Sequence, residues 1–166
     1  MRQLCIAFFG MILLLQSCKT DEDPVQRIDQ TMNIYIRDNA GKDLLHPTNT
    51  GSYVSFTFND ALGDKDVSPV PYSREVTTDS VFYIKYVAGA RRVLIADNGE
   101  TQTYRSLIAL ALQKKLSPTT SSVENDTMEI QYTLTPEVFE VSKVYYNNQL
   151  RFTKMPDQPN IVTIVK

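Results

Sequence analysis

The stretch Ser80-Val81-Phe82-Tyr83-Ile84-Lys85-Tyr86-Val87-Ala88 alternates Phe82, Ile84 and Tyr86 with Val81, Tyr83 and Lys85. A period of two over nine residues rich in aromatic and β-branched side chains is the mark of a half-buried strand. Working outward, Gly89 interrupts the pattern and Arg92–Ala96 resumes it, so a hairpin between the two is the economical reading. Asp97-Asn98-Gly99-Glu100 then carries the Asn-Gly pair of a tight turn, which predicts that Arg92–Ala96 also pairs with the segment from Thr101 onward.

The same period recurs on both sides. Met32, Ile34 and Ile36 alternate with Asn33, Tyr35 and Arg37 before the turn residues Asp38-Asn39-Ala40-Gly41, and Leu44-Leu45 is expected to fold back onto the sheet. Tyr53–Phe58 alternates again, with Val54, Phe56 and Phe58 on one face and Tyr53, Ser55 and Thr57 on the other. Asn59–Asp66, around Gly63, reads as a polar loop. Ser106–Leu112 satisfies both a short helix and a strand, and its neighbours favour the strand. Ser117–Asp126 reads as a loop of roughly ten residues. Met128, Ile130, Tyr132 and Leu134 alternate again. Val138–Tyr146 and Leu150–Lys154 flank an Asn147-Asn148 turn, and Ile161–Val165 is a last strand behind Pro156 and Pro159. Eight to ten short strands without a long amphipathic helix predict one all-β domain, a single antiparallel β-sandwich, over residues 30–166.

Composition narrows the function. The 166 residues carry 17 basic and 19 acidic side chains, a net charge of −2, which provides no field for nucleic acid. One His and two Cys offer neither a zinc site nor a disulfide framework.

The N-terminus reads as an address. After Arg2, Leu4–Leu15 is uncharged, and at about 1.5 Å per residue a helix of this length falls well short of a hydrocarbon core of about 30 Å. It suits the hydrophobic region of a signal peptide. Leu15-Gln16-Ser17-Cys18 resembles the lipobox of bacterial lipoproteins, with Gln16 departing from the usual small or aliphatic residue. The resemblance implies removal of residues 1–17 as a signal peptide and a diacylglyceryl group on Cys18 as the covalent attachment to the membrane. The mature chain would then keep 16 basic and 19 acidic residues, because only Arg2 is lost. Residues 18–29 read as a lipidated, acidic tether. Within it Lys19, Asp21, Glu22 and Asp23 resemble the export signal of Bacteroidetes lipoproteins carried to the outer face of the outer membrane; retention in the periplasm is the rival address.

Asp38–Leu45, Val144–Leu150 and Ile164–Lys166 are similar to segments of small Bacteroidetes outer-membrane lipoproteins. That resemblance implies an immunoglobulin-like or transthyretin-like sandwich and no chemistry. Asp79-Ser80-Val81 and Asp126-Thr127-Met128 resemble the O-glycosylation acceptor of exported Bacteroidetes proteins, making Ser80 and Thr127 candidate modification sites at loop-to-strand edges.

Candidate chemistry is sparse. His46 precedes Pro47 in a loop without a nucleophile elbow to accompany it. Asp60, Asp64 and Asp66 around Gly63 could supply oxygen ligands to Ca²⁺, although their order is not that of an EF-hand and Lys65 opposes a cation. No other cofactor is expected. The nine Tyr and seven Phe raise the question of a sugar platform, which an exposed tyrosine stripe would favour. The expectation is a non-enzymatic, lipid-anchored interaction or scaffold module, facing an envelope protein or a glycan. Its alternatives are a carbohydrate-binding accessory lipoprotein of a glycan-uptake system and a small hydrolase using two convergent carboxylates.

Overall fold

The computed structural model describes residues 25–166, so the signal peptide, Cys18 and the export-signal residues Lys19, Asp21, Glu22 and Asp23 lie outside the described residues. Eleven strands follow in chain order: β1 (Arg27–Asp29), β2 (Met32–Arg37), β3 (Tyr53–Asp60), β4 (Ser73–Val76), β5 (Phe82–Tyr86), β6 (Val93–Asp97), β7 (Gln102–Lys115), β8 (Ser121–Leu134), β9 (Val138–Tyr146), β10 (Gln149–Thr153) and β11 (Asn160–Val165). Among the described residues there is no helix, and the class is all-β. The first sheet takes in Arg27–Asp29, three residues that the sequence reading gives to the tether.

The strands form two sheets. One has seven strands, β1-β9-β8-β7-β3, with β10 also on β9 and β6 also on β7; the other has four, β11-β2-β5-β4. The expectation of purely antiparallel pairing needs correction, because β1 runs parallel to β9 and β11 parallel to β2. Both parallel pairs join strands far apart in the chain, which no turn signal can announce. Inward side chains of both sheets make one core: Met32, Ile34 and Ile36, Ile84 and Tyr86, Ile108, Leu110 and Leu112, Met128, Ile130 and Tyr132, and Val162 and Ile164. Each such aliphatic side chain contributes about 1.5–3 kcal/mol on burial. The two sheets are also clamped at one end, where the buried Lys154 ammonium donates to Asp29 Oδ2 at 2.6 Å and Asn160 donates to Asp29 Oδ1 at 2.8 Å.

Several expectations hold. Leu44 and Leu45 fold back and are buried, Asn98-Gly99 turns β6 into β7, and Ser106–Leu112 is strand, the middle of β7. Asn147 and Asn148 adopt φ of 48° and 63°, the left-handed pair that a two-residue hairpin turn requires.

Three expectations fail for identifiable reasons. The β5 strand does not pair with β6. Arg91 N donates to the buried Asp60 carboxylate and Ser106 Oγ donates to Arg91 O at 2.8 Å, so the chain crosses to the other sheet after Gly89. The hairpin partner of β5 is instead β4, whose Ser-Arg-Glu-Val sequence is exposed throughout and shows no hydrophobic period. Ser121–Asp126 is strand, not loop: β7 and β8 form a hairpin of 14 residues on 14, about 45 Å long at roughly 3.3 Å per residue. Finally, Tyr53 is buried with Phe56 and Phe58 while Val54 is exposed, so Val54 does not share their face as strict alternation predicts. A bulge between Tyr53 and Ser55 shifts the register there and turns Tyr53 inward.

Candidate functional site

The inner face of β8 changes character along its length. Tyr132, Ile130 and Met128 line the core, and the next two inward positions are Asp126 and Glu124. Two carboxylates on the core side of a sheet require partners, since an unpaired buried charge costs several kcal/mol. The β3 bulge supplies one of them: Tyr53 Oη donates to Glu124 Oε2 at 2.6 Å. Tyr146, the last residue of β9, donates to Asp126 Oδ2 at 2.7 Å, and Asn147 Nδ2 donates to Asp126 Oδ1 at 2.6 Å.

Lys166 completes the group. Its amide donates to Arg37 O at 2.9 Å, extending the β11–β2 ladder, and its ammonium donates to Glu124 Oε2 at 3.0 Å and to Asp126 Oδ2. The same ammonium lies 5.9 Å from the Tyr53 ring centroid and 5.3 Å from that of Tyr146, while Lys114 stands 3.7 Å from Glu124 Oε1. Five separate segments, from β3, β7, β8, the end of β9 and the residue after β11, therefore converge on one ion-pair cluster.

The electrostatics follow from these contacts. Desolvation pushes the Glu124 carboxyl up, but hydrogen bonds from Tyr53 and Lys166 outweigh it and hold the group below its ordinary value. For Asp126, desolvation is likewise outweighed, by Asn147, Lys166 and Tyr146, and its carboxyl is also held low. Burial first, and then donation to a carboxylate, drives the phenols of Tyr53 and Tyr146 well above the usual tyrosine range. Both carboxylates are thus held ionised and both phenols protonated. A glycosidase pair needs one carboxyl kept protonated near neutrality, and this pair has none.

Outside the cluster, on the solvent face of the same sheet, cross-strand rows of alanine flanked by small polar residues line a hollow of about 400 Å³. Thr57, Ala111 and Asn125 form one row and Asn59, Ala109 and Thr127 the next.

The residues singled out from sequence are scattered. Asp60 is buried and accepts from Leu62 N and Arg91 N, Asp64 pairs with Arg91, and the three loop aspartates are not gathered into a ligand set. Ser80 is exposed at the tip of the β4–β5 hairpin with φ 61°. Thr127 is also exposed but sits inside β8 opposite Ala109, so its expected place at a loop edge is corrected. Its N–H donates to Asn147 Oδ1 at 2.8 Å. The His46 ring packs edge-on to Phe82 with its Nδ1 3.0 Å from Thr48 Oγ1, away from any acid–nucleophile pair.

The tyrosines make no exposed stripe. Tyr53, Tyr86, Tyr132 and Tyr146 are buried and the other five half-buried. Two of the latter, Tyr35 and Tyr83, lie opposite one another on the solvent face of the four-stranded sheet, centroids 5.5 Å apart.

Sequence reasoning passed over Tyr53, Glu124, Asp126, Tyr146 and Lys166 as a group. The only local signal is the Glu-x-Asp spacing in a segment that reads as loop. Comparison with family models, with curated proteins and with solved structures returns no match.

Proposed function

We propose that this chain is a lipid-anchored cell-envelope protein of the outer membrane that acts without catalysis, as an interaction or scaffold module on an immunoglobulin-like or transthyretin-like sandwich. What supports the reading is where the first strand begins. Arg27–Asp29 pairs with Val138–Glu140, and Gln26 donates to Thr135 O, so the described chain enters the domain beside the β8–β9 turn. The tip of the β7–β8 hairpin, Leu116–Thr120, is at the opposite end of the same long strands. Under this reading the anchored end is the β8–β9 end, and the tip and the Lys166 cluster are at the opposite one. The locked charge state of that cluster suits a rigid display surface better than proton transfer.

Protease shaving of intact cells tests the address. Wild type should be cleaved on intact cells, Cys18→Ala should leave the membrane fraction, and replacing Asp21, Glu22 and Asp23 should protect the chain. Protection of wild type on intact cells, with cleavage after lysis, would overturn the surface assignment.

A second reading, glycan binding, is favoured by the Tyr35–Tyr83 pair with Arg37 5.8 Å above the Tyr35 ring. Under it, Tyr83→Ala abolishes retention on an immobilised glycan array that captures wild type.

A further inference from the structure

The distal half of β8 has a bare edge. β9 pairs with β8 only over Met128–Leu134, and the chain then turns away at Asn147-Asn148. Asn147 closes the ladder by donating its amide to Thr127 O and accepting from Thr127 N, so the polar backbone atoms of Thr127 point away from β7. With a period of two, the N–H and C=O groups of Asn125, Val123 and Ser121 point the same way. Among the described residues none of these six groups has a hydrogen-bond partner.

Natural sheets usually blunt such an edge with charge, proline or a bulge. The β4 edge carries Arg74 and Glu75. On β8 the outward side chains are Ser121, Val123 and Asn125, uncharged, with Val123 59% exposed, and Glu124 is turned inward to Lys166. The β7–β8 ladder is unbroken over all 14 residue pairs, so no bulge protects the edge.

We infer that this edge is a self-association surface: a second copy of the chain adds its own β8 antiparallel about a two-fold axis at Val123, giving a continuous β7-β8-β8-β7 sheet. Rotation about that point sets Ser121 against Asn125 and Val123 against itself, which satisfies all six free backbone groups on each copy. It also sets Glu124 opposite Ser122 and Asp126 opposite Thr120, so no carboxylate meets another. On the solvent face the two Val123 side chains cover each other, with a Ser–Asn pair on either side. The edge thus complements itself in backbone, charge and apolar contact. The inference is independent of the membrane address.

Site-directed disulfide trapping in cells expressing the full chain tests it. Residues directly opposite across such a ladder have Cα atoms about 5.5 Å apart, within disulfide reach. Under mild oxidation Val123→Cys should run as a covalent dimer on a non-reducing gel. Ser121→Cys alone should not, whereas Ser121→Cys co-expressed with Asn125→Cys should. Wild type, with its native Cys5 and Cys18, sets the background.

Val123→Pro supplies an independent measurement, because the Val123 N–H takes no part in the β7 ladder and its loss leaves the hairpin intact. Wild type purified in detergent should be dimeric by light scattering, and Val123→Pro should be monomeric with an unchanged circular dichroism spectrum. A monomeric wild type, equal cross-linking at all three positions, or a folded Val123→Pro that remains dimeric would each overturn the proposal.

Discussion

Replacing Lys166 by Met removes one ammonium and leaves two carboxylates, Glu124 and Asp126, on the core side of β8. The lysine makes a charge-assisted hydrogen bond to each, and at about 1.5 kcal/mol net per bond the loss is about 3 kcal/mol at pH 7. Lys114, 3.7 Å from Glu124, stays to offset part of the repulsion, while Asp126 has no second cation within 4 Å among the described residues. For a domain of this size 1 kcal/mol moves the melting temperature by roughly 3–4 °C, so a fall of about 10 °C is expected by calorimetry.

The pH dependence separates this account from simple loss of packing. In wild type both carboxyls are held below their ordinary values, so their contribution is full above the unfolded values near 4 and disappears as pH falls through the lower folded ones. In Lys166→Met the bare pair favours taking up a proton, so the difference from wild type should shrink as pH falls below the unfolded values. Asp126→Asn on the Lys166→Met background should recover at least half of the lost stability at pH 7. A fall under 3 °C at pH 7, or one of equal size at pH 3, would refute the reasoning.

Three other outcomes are expected. Asn148→Val, at φ 63°, should cost about 1–2 kcal/mol in denaturant titration, whereas Asn148→Gly should be neutral or slightly stabilising. Gly63→Ala would place its Cβ 2.5 Å from Ser68 Oγ and 2.8 Å from Ser68 Cβ, so the loop after β3 must shift; a lowered denaturation midpoint is expected, with recovery in the Gly63→Ala, Ser68→Gly double variant. Burial raises the phenols of Tyr53, Tyr86, Tyr132 and Tyr146, so the stability they contribute is complete below the unfolded value of about 10 and declines as pH rises beyond it. The 295 nm absorbance of these four should rise together with alkaline unfolding, and a separate earlier step would contradict their burial.

For β2, β5 and the proximal half of β8, the apolar inward row was enough to place the strand. Met32, Ile34 and Ile36, Phe82, Ile84 and Tyr86, and Met128, Ile130 and Tyr132 announce themselves by period alone, because water rejects one face of each strand whatever its neighbours are. The Asn98-Gly99 and Asn147-Asn148 turns were equally legible, since few residues accept a left-handed backbone. The distal half of β8 was not. Its inward row, Ser122, Glu124 and Asp126, is polar, and it belongs in a sheet only because Tyr53, Tyr146 and Lys166 neutralise it there.

The partners of Glu124 lie 71 and 42 residues away in the chain, a separation that periodicity cannot bridge. Strand pairing was hidden for the same reason. The crossing from β5 to β6 depends on Asp60 and Ser106 holding Arg91, and the parallel β11–β2 pair depends on two distant segments that meet only when the core closes. Sequence by itself determined which residues avoid water and where the chain can turn. Only the tertiary structure decided which strands share hydrogen bonds and which charges meet, because those contacts join segments that have no local means of sensing one another.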